Sequence, residues 1–557
     1  MVSPESVPSR EYPSPIESPL PRADLRTTIN VRRNTIVAVT APVVLFLVAC
    51  VRLTAQGMYY DELHQAIGAL AYVGHTVSAA FLIGRYPALN MSYSGAIKTA
   101  LYGLYLRLFH AEFSVVSWRL TGLLLLAAGL LAFGLLLRKR MPGLFLPLFS
   151  ALLISDVSVL LMSRHDWGPA ALALALRLLF LGVWLRGGLS QGVGRWNSFW
   201  LGLIAALAIF EKLSSVVLIL PLLLILTVDT RRRNAGHWLA CLGGGLLGSA
   251  PLIVVNTLSL LASRTLVSLS DVRQPDSLGI GTVLGFTRQY LSLGSGSVVK
   301  QFICGVGTPA PLVLFESLSL LGLLTLAGLA AFSLPRPNRW SALAGTAIAS
   351  YAALGVGVRL LPQGTWCHHW IVGTPFQYVA LCLCVAGLQA SGHPRGRFGR
   401  FVPRVLAALL IVFLGYRCVN LSLLEGALRT GRSSADWDPG LTRLAEFSAR
   451  RGGEMGFIAA DWGVALQMGL MGTGRTPVEE LTWSFEGEKS LTDALQRLHR
   501  DSVYLVFKHP PTNVAPARTA RMLPAMRGLP GWREVEVDAE VRALPPVRLY
   551  KFVRVKS

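Results

Sequence analysis

The chain has 557 residues, 52% of them hydrophobic and only 15% charged, with a formal net charge of +22. A soluble globular chain carries roughly 25% charged residues. Here many windows of about 20 residues, the length that crosses ~30 Å of hydrocarbon, hold no charge at all, which excludes a soluble protein. The basic residues form short clusters between apolar runs, as cytoplasmic loops do, and this argues against a nucleic-acid-binding surface.

Residues 1–33, rich in Pro, Ser and Arg, read as a disordered cytoplasmic tail with no cleavage site of a targeting peptide. Arg32-Arg33 then precede the apolar run 34–51, a signal-anchor helix entering from the cytoplasm. This puts residues 53–117 outside as a first external loop. That loop holds Tyr59-Tyr60-Asp61-Glu62-Leu63-His64, the turn Arg85-Tyr86-Pro87 and the run Tyr93-Ser94-Gly95-Ala96-Ile97-Lys98. Residues 96–110 suit a helix lying along the membrane surface.

Apolar segments then alternate at 118–137, 143–162, 169–185, 197–210, 213–228, 237–256, 310–333, 341–358, 370–390 and 404–422, for about 11 spans. Arg138-Lys139-Arg140, Arg186 with Arg195, Arg231-Arg232-Arg233, Arg336 with Arg339, and Arg395 with Arg397 and Arg400 all fall on one side. The other side receives Arg164-His165-Asp166-Trp167, Glu211-Lys212, a long loop over 257–309, and the stretch from Arg359 to His369. Cys304 and Cys367 lie in external loops, where pairing is open to them. From 425 to 557 the composition becomes that of a small external α/β domain. Helices are expected at 441–451 and 487–499, strands at 455–459, 503–507 and 547–553, and Asp461-Trp462-Gly463 at a strand end. The fold class is therefore a polytopic α-helical membrane protein with external juxtamembrane helices and a C-terminal α/β domain.

The external face collects carboxylates (Asp61, Glu62, Asp166, Glu211) and cations or imidazoles (His64, Lys98, Arg164, His165, Lys212, Arg359, His368, His369), each near a helix end. Acid, base and anion-binding groups are thus available at one bilayer face. Other readings stand beside this one. Asp61-Glu62 suits the first turn of a helix, Lys98 and Arg359 suit snorkelling anchors, and Arg164-His165-Asp166 suits a polar turn. His368 and His369 point ~100° apart on a helix, a poor arrangement for one metal ion, and no carboxylate has recognisable metal-ligand spacing. No cofactor is expected. Arg177, inside a span, requires a polar partner.

An Asp-Glu pair in the first external loop, a Gly-x-x-Lys run (Gly95 to Lys98) before the second span and an Asp (Asp166) in the next external turn together resemble the GT-C glycosyltransferases. Within that superfamily the pattern is similar to the protein O-mannosyltransferases, the lipid A aminoarabinose transferases and the lipopolysaccharide-core galacturonosyltransferases. The similarity covers roughly 40–390 and is strongest over 57–170. Ile97 and Thr99 flank the lysine where the aminoarabinose transferases carry a carboxylate and a proline.

The resemblance implies transfer of a monosaccharide from a polyprenyl-phosphate donor to an extracytoplasmic acceptor in the inner (plasma) membrane, with the N-terminus cytoplasmic. It implies Asp61 as the base with Glu62 beside it, Lys98 on the donor phosphate, and Asp166 positioning the acceptor or the catalytic loop. Tyr60, Arg164, His165, Arg359, His368 and His369 are further expected substrate contacts, and residues 34–422 the catalytic domain. The rival class is a transporter or flippase of a lipid-linked or anionic substrate. Such folds show internal repeats and mid-membrane binding groups, and no repeat is visible here.

Overall fold

In hydrocarbon every backbone N–H and C=O must be satisfied inside its own segment, so the apolar runs fold as helices. The computed structural model describes residues 22–190, 192–270, 280–332, 339–361, 366–391, 397–451, 454–473, 476–508, 515–542 and 547–555. The expected tail over 1–21 and the basic residues Arg336 and Arg395 lie outside these. Helix α1 (Arg22–Cys50) already begins at Arg22, so part of the expected disordered tail is helical.

The segment over 53–117, read from the sequence as the first external loop, is more structured than expected. It contains α2 (Tyr60–Ile67), a 3-10 turn, and an antiparallel meander of β1 (Phe81–Ile83), β2 (Tyr86–Met91) and β3 (Ser94–Gly95). Helix α3 (Ile97–Phe109) follows where a surface helix was expected. The bundle continues with α4 (Val115–Leu137), α5 (Phe145–Ile154), α6 (Val157–His165), α7 (Ala170–Gly188), α8 (Arg195–Glu211), α9 (Ile219–Val228) and α10 (Ala235–Ser263). The expected loop over 257–309 instead carries the end of α10 and two short helices, α11 (Ile280–Leu291) and α12 (Ser297–Cys304). Then come α13 (Ala310–Phe332), α14 (Arg339–Arg359), α15 (Cys367–Trp370), α16 (Phe376–Ser391) and α17 (Arg397–Arg429).

All the apolar segments are helical, but the expected span count needs refining. Among the described residues eight helices are long and apolar enough to cross a membrane, and α5 with α6 forms a ninth path bent by 64°. The bend falls at Ser155-Asp156, where Asp156 caps α6 by accepting a hydrogen bond from the Val159 amide at 2.9 Å. The stretch Leu213–Val228 is shorter. The span of α7, 83% buried, and the span over Cys367–Gln389, 89% buried, are the most enclosed, against 22% for α10 at the rim. All seven cysteines are free thiols, Cys304 and Cys367 included.

The C-terminal region builds α18 (Gly440–Arg450), β4 (Gly456–Ala459), α19 (Val464–Met471), β5 (Val478–Glu480), α20 (Glu488–Leu498), β6 (Ser502–Lys508), α21 (Pro516–Gly528), β7 (Trp532–Val535) and β8 (Val547–Arg554). The sheet order is β5-β4-β6-β8-β7, with β5, β4 and β6 parallel and β8 and β7 antiparallel. Leu470 of α19 packs in one apolar cluster with Met58, Leu63 and Ala66. The Gly57 amide donates to the Trp437 carbonyl at 2.6 Å. Any side chain at Gly57 would strike the Asp438 backbone. The region is thus seated on α2.

Candidate active site

Asp61 and Glu62 open the first turn of α2, where unsatisfied amides favour negative charge. Glu62 is fully buried and accepts two bonds from Arg119 of α4, each at 2.8 Å. The same guanidinium donates to the carbonyls of Leu53, Gln56 and Gly57 at 2.7 to 2.9 Å. Every Glu62 oxygen is therefore committed to holding α2 and its approach strand in place. The expectation of Glu62 beside a reacting group gives way to an anchoring role.

Asp61 faces the other way. It makes no ion pair within 4.0 Å among the described residues, takes a hydrogen bond from the Tyr93 side chain, and is pushed up to about 6 by burial, against the opposing pull of Lys212. Lys212 lies just past α8, 6% exposed, with its amine donating to the His368 carbonyl at 2.9 Å. Burial pulls that amine down to about 7, helped by the charge of Arg177 and opposed by Asp61 and Asp166.

The centre of this group is Gly168. Its φ of +60° suits glycine, and a Cβ there would sit 3.2 Å from the Lys212 amine, 3.2 Å from the His368 ring and 3.5 Å from an Asp61 oxygen. The Asp61 carboxylate, the Lys212 amine and the His368 ring thus converge on Gly168, where a side chain would crowd all three.

Lys98 and Asp166 form a second centre beside it. The Lys98 amine meets Asp166 Oδ2 at 2.7 Å, both side chains 1% exposed, and lies 3.6 Å from the centroid of the Trp118 ring. Asp166 Oδ1 accepts from the Ala171 amide at 2.9 Å, capping α7. Gln65 ties the two centres by donating to the carbonyls of Asp61 at 3.0 Å and Asp166 at 3.2 Å. Lys98, expected on a donor phosphate, is held in an internal ion pair.

The remaining expected residues separate. His368 stacks on Trp167, ring centroids 4.8 Å apart. His369 accepts from the Trp366 amide through Nδ1 at 3.2 Å and serves to close the first turn of α15. Arg164 turns toward α1, donating to the Arg52 carbonyl at 2.6 Å, and His165 is fully buried, edge-on to Trp437. Arg177 finds its partner in backbone, the carbonyls of Ile371 and Ala173 at 2.5 and 3.2 Å. Arg359 ends α14, half-buried. Tyr60 packs on Trp462 at 3.9 Å and on His64 at 4.1 Å. Trp462 follows Asp461 at the carboxyl end of β4, and the Lys508 amine at the end of β6 lies 5.8 Å from the same indole. The C-terminal sheet thereby presents the carboxyl ends of its parallel strands to α2, the usual place for a crevice in such sheets.

Sequence reasoning leaves Lys212 as one external cation among several, gives Tyr93 no role beyond its run, and passes over Gly168. The signal for Lys212 is non-local: a β-bridge from Ser94 to Lys212 and a 2.9 Å bond from the Leu213 amide to the Tyr93 carbonyl sew the first external loop to the α8–α9 break. Among the described residues no three His, Cys, Asp or Glu side chains are arranged to hold a metal ion.

Fold and site together describe a multi-pass helical membrane protein with a carboxylate–lysine pair at one end of the bundle and an α/β region seated over it. Among solved structures the fold is similar to that of ArnT from Cupriavidus metallidurans bound to undecaprenyl phosphate, with a TM-score of 0.55, 15% identity, and 93% of this chain and 98% of that chain covered. The apo structure of that ArnT matches at a TM-score of 0.55 and 14% identity, covering 92% and 98%. The fold that the resemblance implied is therefore present over nearly the whole chain. No family model matches the sequence, and no curated protein matches it.

Proposed function

We propose that the chain is a membrane glycosyltransferase that moves a monosaccharide from a polyprenyl-phosphate donor to a hydroxyl of an extracytoplasmic acceptor, with inversion. The observation that carries this is the convergence of the Asp61 carboxylate and the Lys212 amine on Gly168. The fold shared with an ArnT that binds undecaprenyl phosphate supports a lipid-phosphate donor.

In this reading Asp61 takes the acceptor proton as the acceptor oxygen bonds to the anomeric carbon. The bond from that carbon to the phosphate oxygen breaks, and its electron pair leaves with the polyprenyl phosphate. The leaving group is already an anion and needs no acid, only a cation against its growing charge. Lys212, engaged by a single carbonyl, supplies it. Lys98 and Asp166 hold α3, α6 and α7 in register around the site. Asp61 and the α/β region of 425–557 then lie outside the inner membrane, residues 34–422 form the catalytic domain, and the N-terminus is cytoplasmic.

The test is transfer by the reconstituted protein from lipid-linked sugars extracted from its own cells, read by mass spectrometry. Asp61→Asn is expected to lower turnover by about 10²- to 10⁴-fold, the range of a general base. Undiminished transfer removes Asp61 as base, and movement of the lipid-linked sugar with no new glycosidic bond replaces the reading with transport.

A further inference from the structure

The end of the bundle remote from Asp61 carries a second site, independent of the transfer chemistry. Helix α7 runs 19 residues from the Asp166 turn to Gly188, so its far end lies ~28 Å away at 1.5 Å per residue. There, where α4, α7 and α8 end or begin, a cavity of about 490 Å³ opens between Arg140, Arg186, Gly187, Asn197, Trp196 and Trp200.

Three features set it apart from an ordinary basic loop. Arg140 and Arg186 are exposed and make no ion pair among the described residues, whereas Arg231 and Arg232 close by are tied to Asp229 at 2.8 and 3.2 Å. Behind the lining residue Gly187 and at the lining residue Asn197 lie two unsatisfied polar atoms. Arg232 is fully buried, yet its Nη2 has no partner, and neither has Asn197 Oδ1. Both atoms crowd Gly187, within 2.5 to 2.6 Å of where its Cβ would stand, so only glycine leaves them room. The rim is aromatic: Trp196 is 73% and Trp200 48% exposed, and their i,i+4 spacing puts both on one face of α8. Indoles at such positions mark the headgroup level of a bilayer.

We propose that this cavity binds the phosphodiester of an anionic phospholipid from the leaflet at that end of the bundle. Arg140 and Arg186 hold the phosphate and the two tryptophans flank the glycerol and the upper acyl chains. Basic pockets between transmembrane helices recognise anionic headgroups in this way. The tryptophans favour a lipid over a soluble phosphate.

The experiment is native mass spectrometry of the detergent-purified full chain, titrated with phosphatidylglycerol, phosphatidylcholine or inorganic phosphate. The parent is expected to retain phosphatidylglycerol about tenfold better than phosphatidylcholine. Arg140→Gln/Arg186→Gln abolishes that preference. Arg138→Gln/Lys139→Gln, which removes the same charge from neighbours outside the cavity, leaves it intact. Equal retention of both lipids by the parent overturns the proposal, as does an unchanged preference in the first double variant or an equal loss in the second. Displacement of phosphatidylglycerol by an equimolar amount of inorganic phosphate reassigns the cavity to a soluble anion and overturns the lipid.

Discussion

Asp61 and Glu62 stand about 100° apart around the first turn of α2, so only one of them can meet Arg119. Glu62 does, and Glu62→Gln strands a buried guanidinium that holds three further carbonyls. Breaking a buried pair in this way costs about 3–5 kcal/mol, and a large fall in the thermal midpoint in detergent is the expected result.

Asp61→Asn goes the other way. The folded-state value of Asp61 is raised from 3.8 to about 6 by burial, so ionisation costs stability, by nothing below pH 3.8 and in full above about 6. At 1.36 kcal/mol per unit the cost reaches about 3 kcal/mol. The asparagine variant therefore melts no lower than the parent at pH 8 while losing turnover. Two adjacent carboxylates with opposite effects on stability identify which is anchor and which is reagent. That difference is not legible in the sequence, because the face that meets Arg119 is decided by how α2 packs.

The same pair of values sets the pH dependence. The proposed reaction needs Asp61 ionised, above about 6, and Lys212 protonated, below about 7. The rate constant kcat/KM is thus expected to follow a narrow bell with limbs near pH 6 and 7. Lys212→Arg removes the alkaline limb, since a guanidinium stays charged. A flat profile between pH 5.5 and 8.5 removes this pair from the rate.

At the scale of elements, the helices were readable because each apolar run has only one way to satisfy its backbone in hydrocarbon. The meander over 81–95 was not, since its strands are two to six residues long and take their register from one another and from Lys212. The bend at Asp156 was hidden too, for the run 143–162 reads as one continuous span. Asp156 caps α6 and also accepts from the Tyr378 hydroxyl at 2.6 Å, which in turn is bonded by Arg417 at 2.9 Å. Arg417 also reaches Glu316 at 2.5 Å. Asp156→Ala removes the cap, worth about 0.5–2 kcal/mol, and the acceptor of Tyr378 as well. Asp156→Asn keeps the cap, so thermal midpoints falling in the order parent, Asn, Ala are expected.

Across the whole molecule, the C-terminal sheet is more than a cover. Tyr60 is adjacent to Asp61 and its ring lies on Trp462, so on the proposed function the carboxyl edge of β4 borders the acceptor side of Asp61. Trp462→Ala is expected to raise the KM for acceptor by about tenfold, as lost aromatic contact does, and to change kcat little. A fall in kcat alone would place Trp462 in a purely structural role. The sequence pointed to Asp461-Trp462-Gly463 as a strand end. It held no sign that this end meets α2, because that contact joins residues some 400 positions apart in the chain.

The bridge between Ser94 and Lys212 has a geometric consequence. In the proposed reaction Tyr93 orients the base and Lys212 meets the leaving anion, and the two sit on backbones bonded to each other. Neither can shift without carrying its counterpart. In the proposed reaction the groups for proton acceptance and charge neutralisation are then positioned through one shared stretch of backbone. On the proposed function, a donor that meets its cation therefore meets the base held by the same backbone bridge.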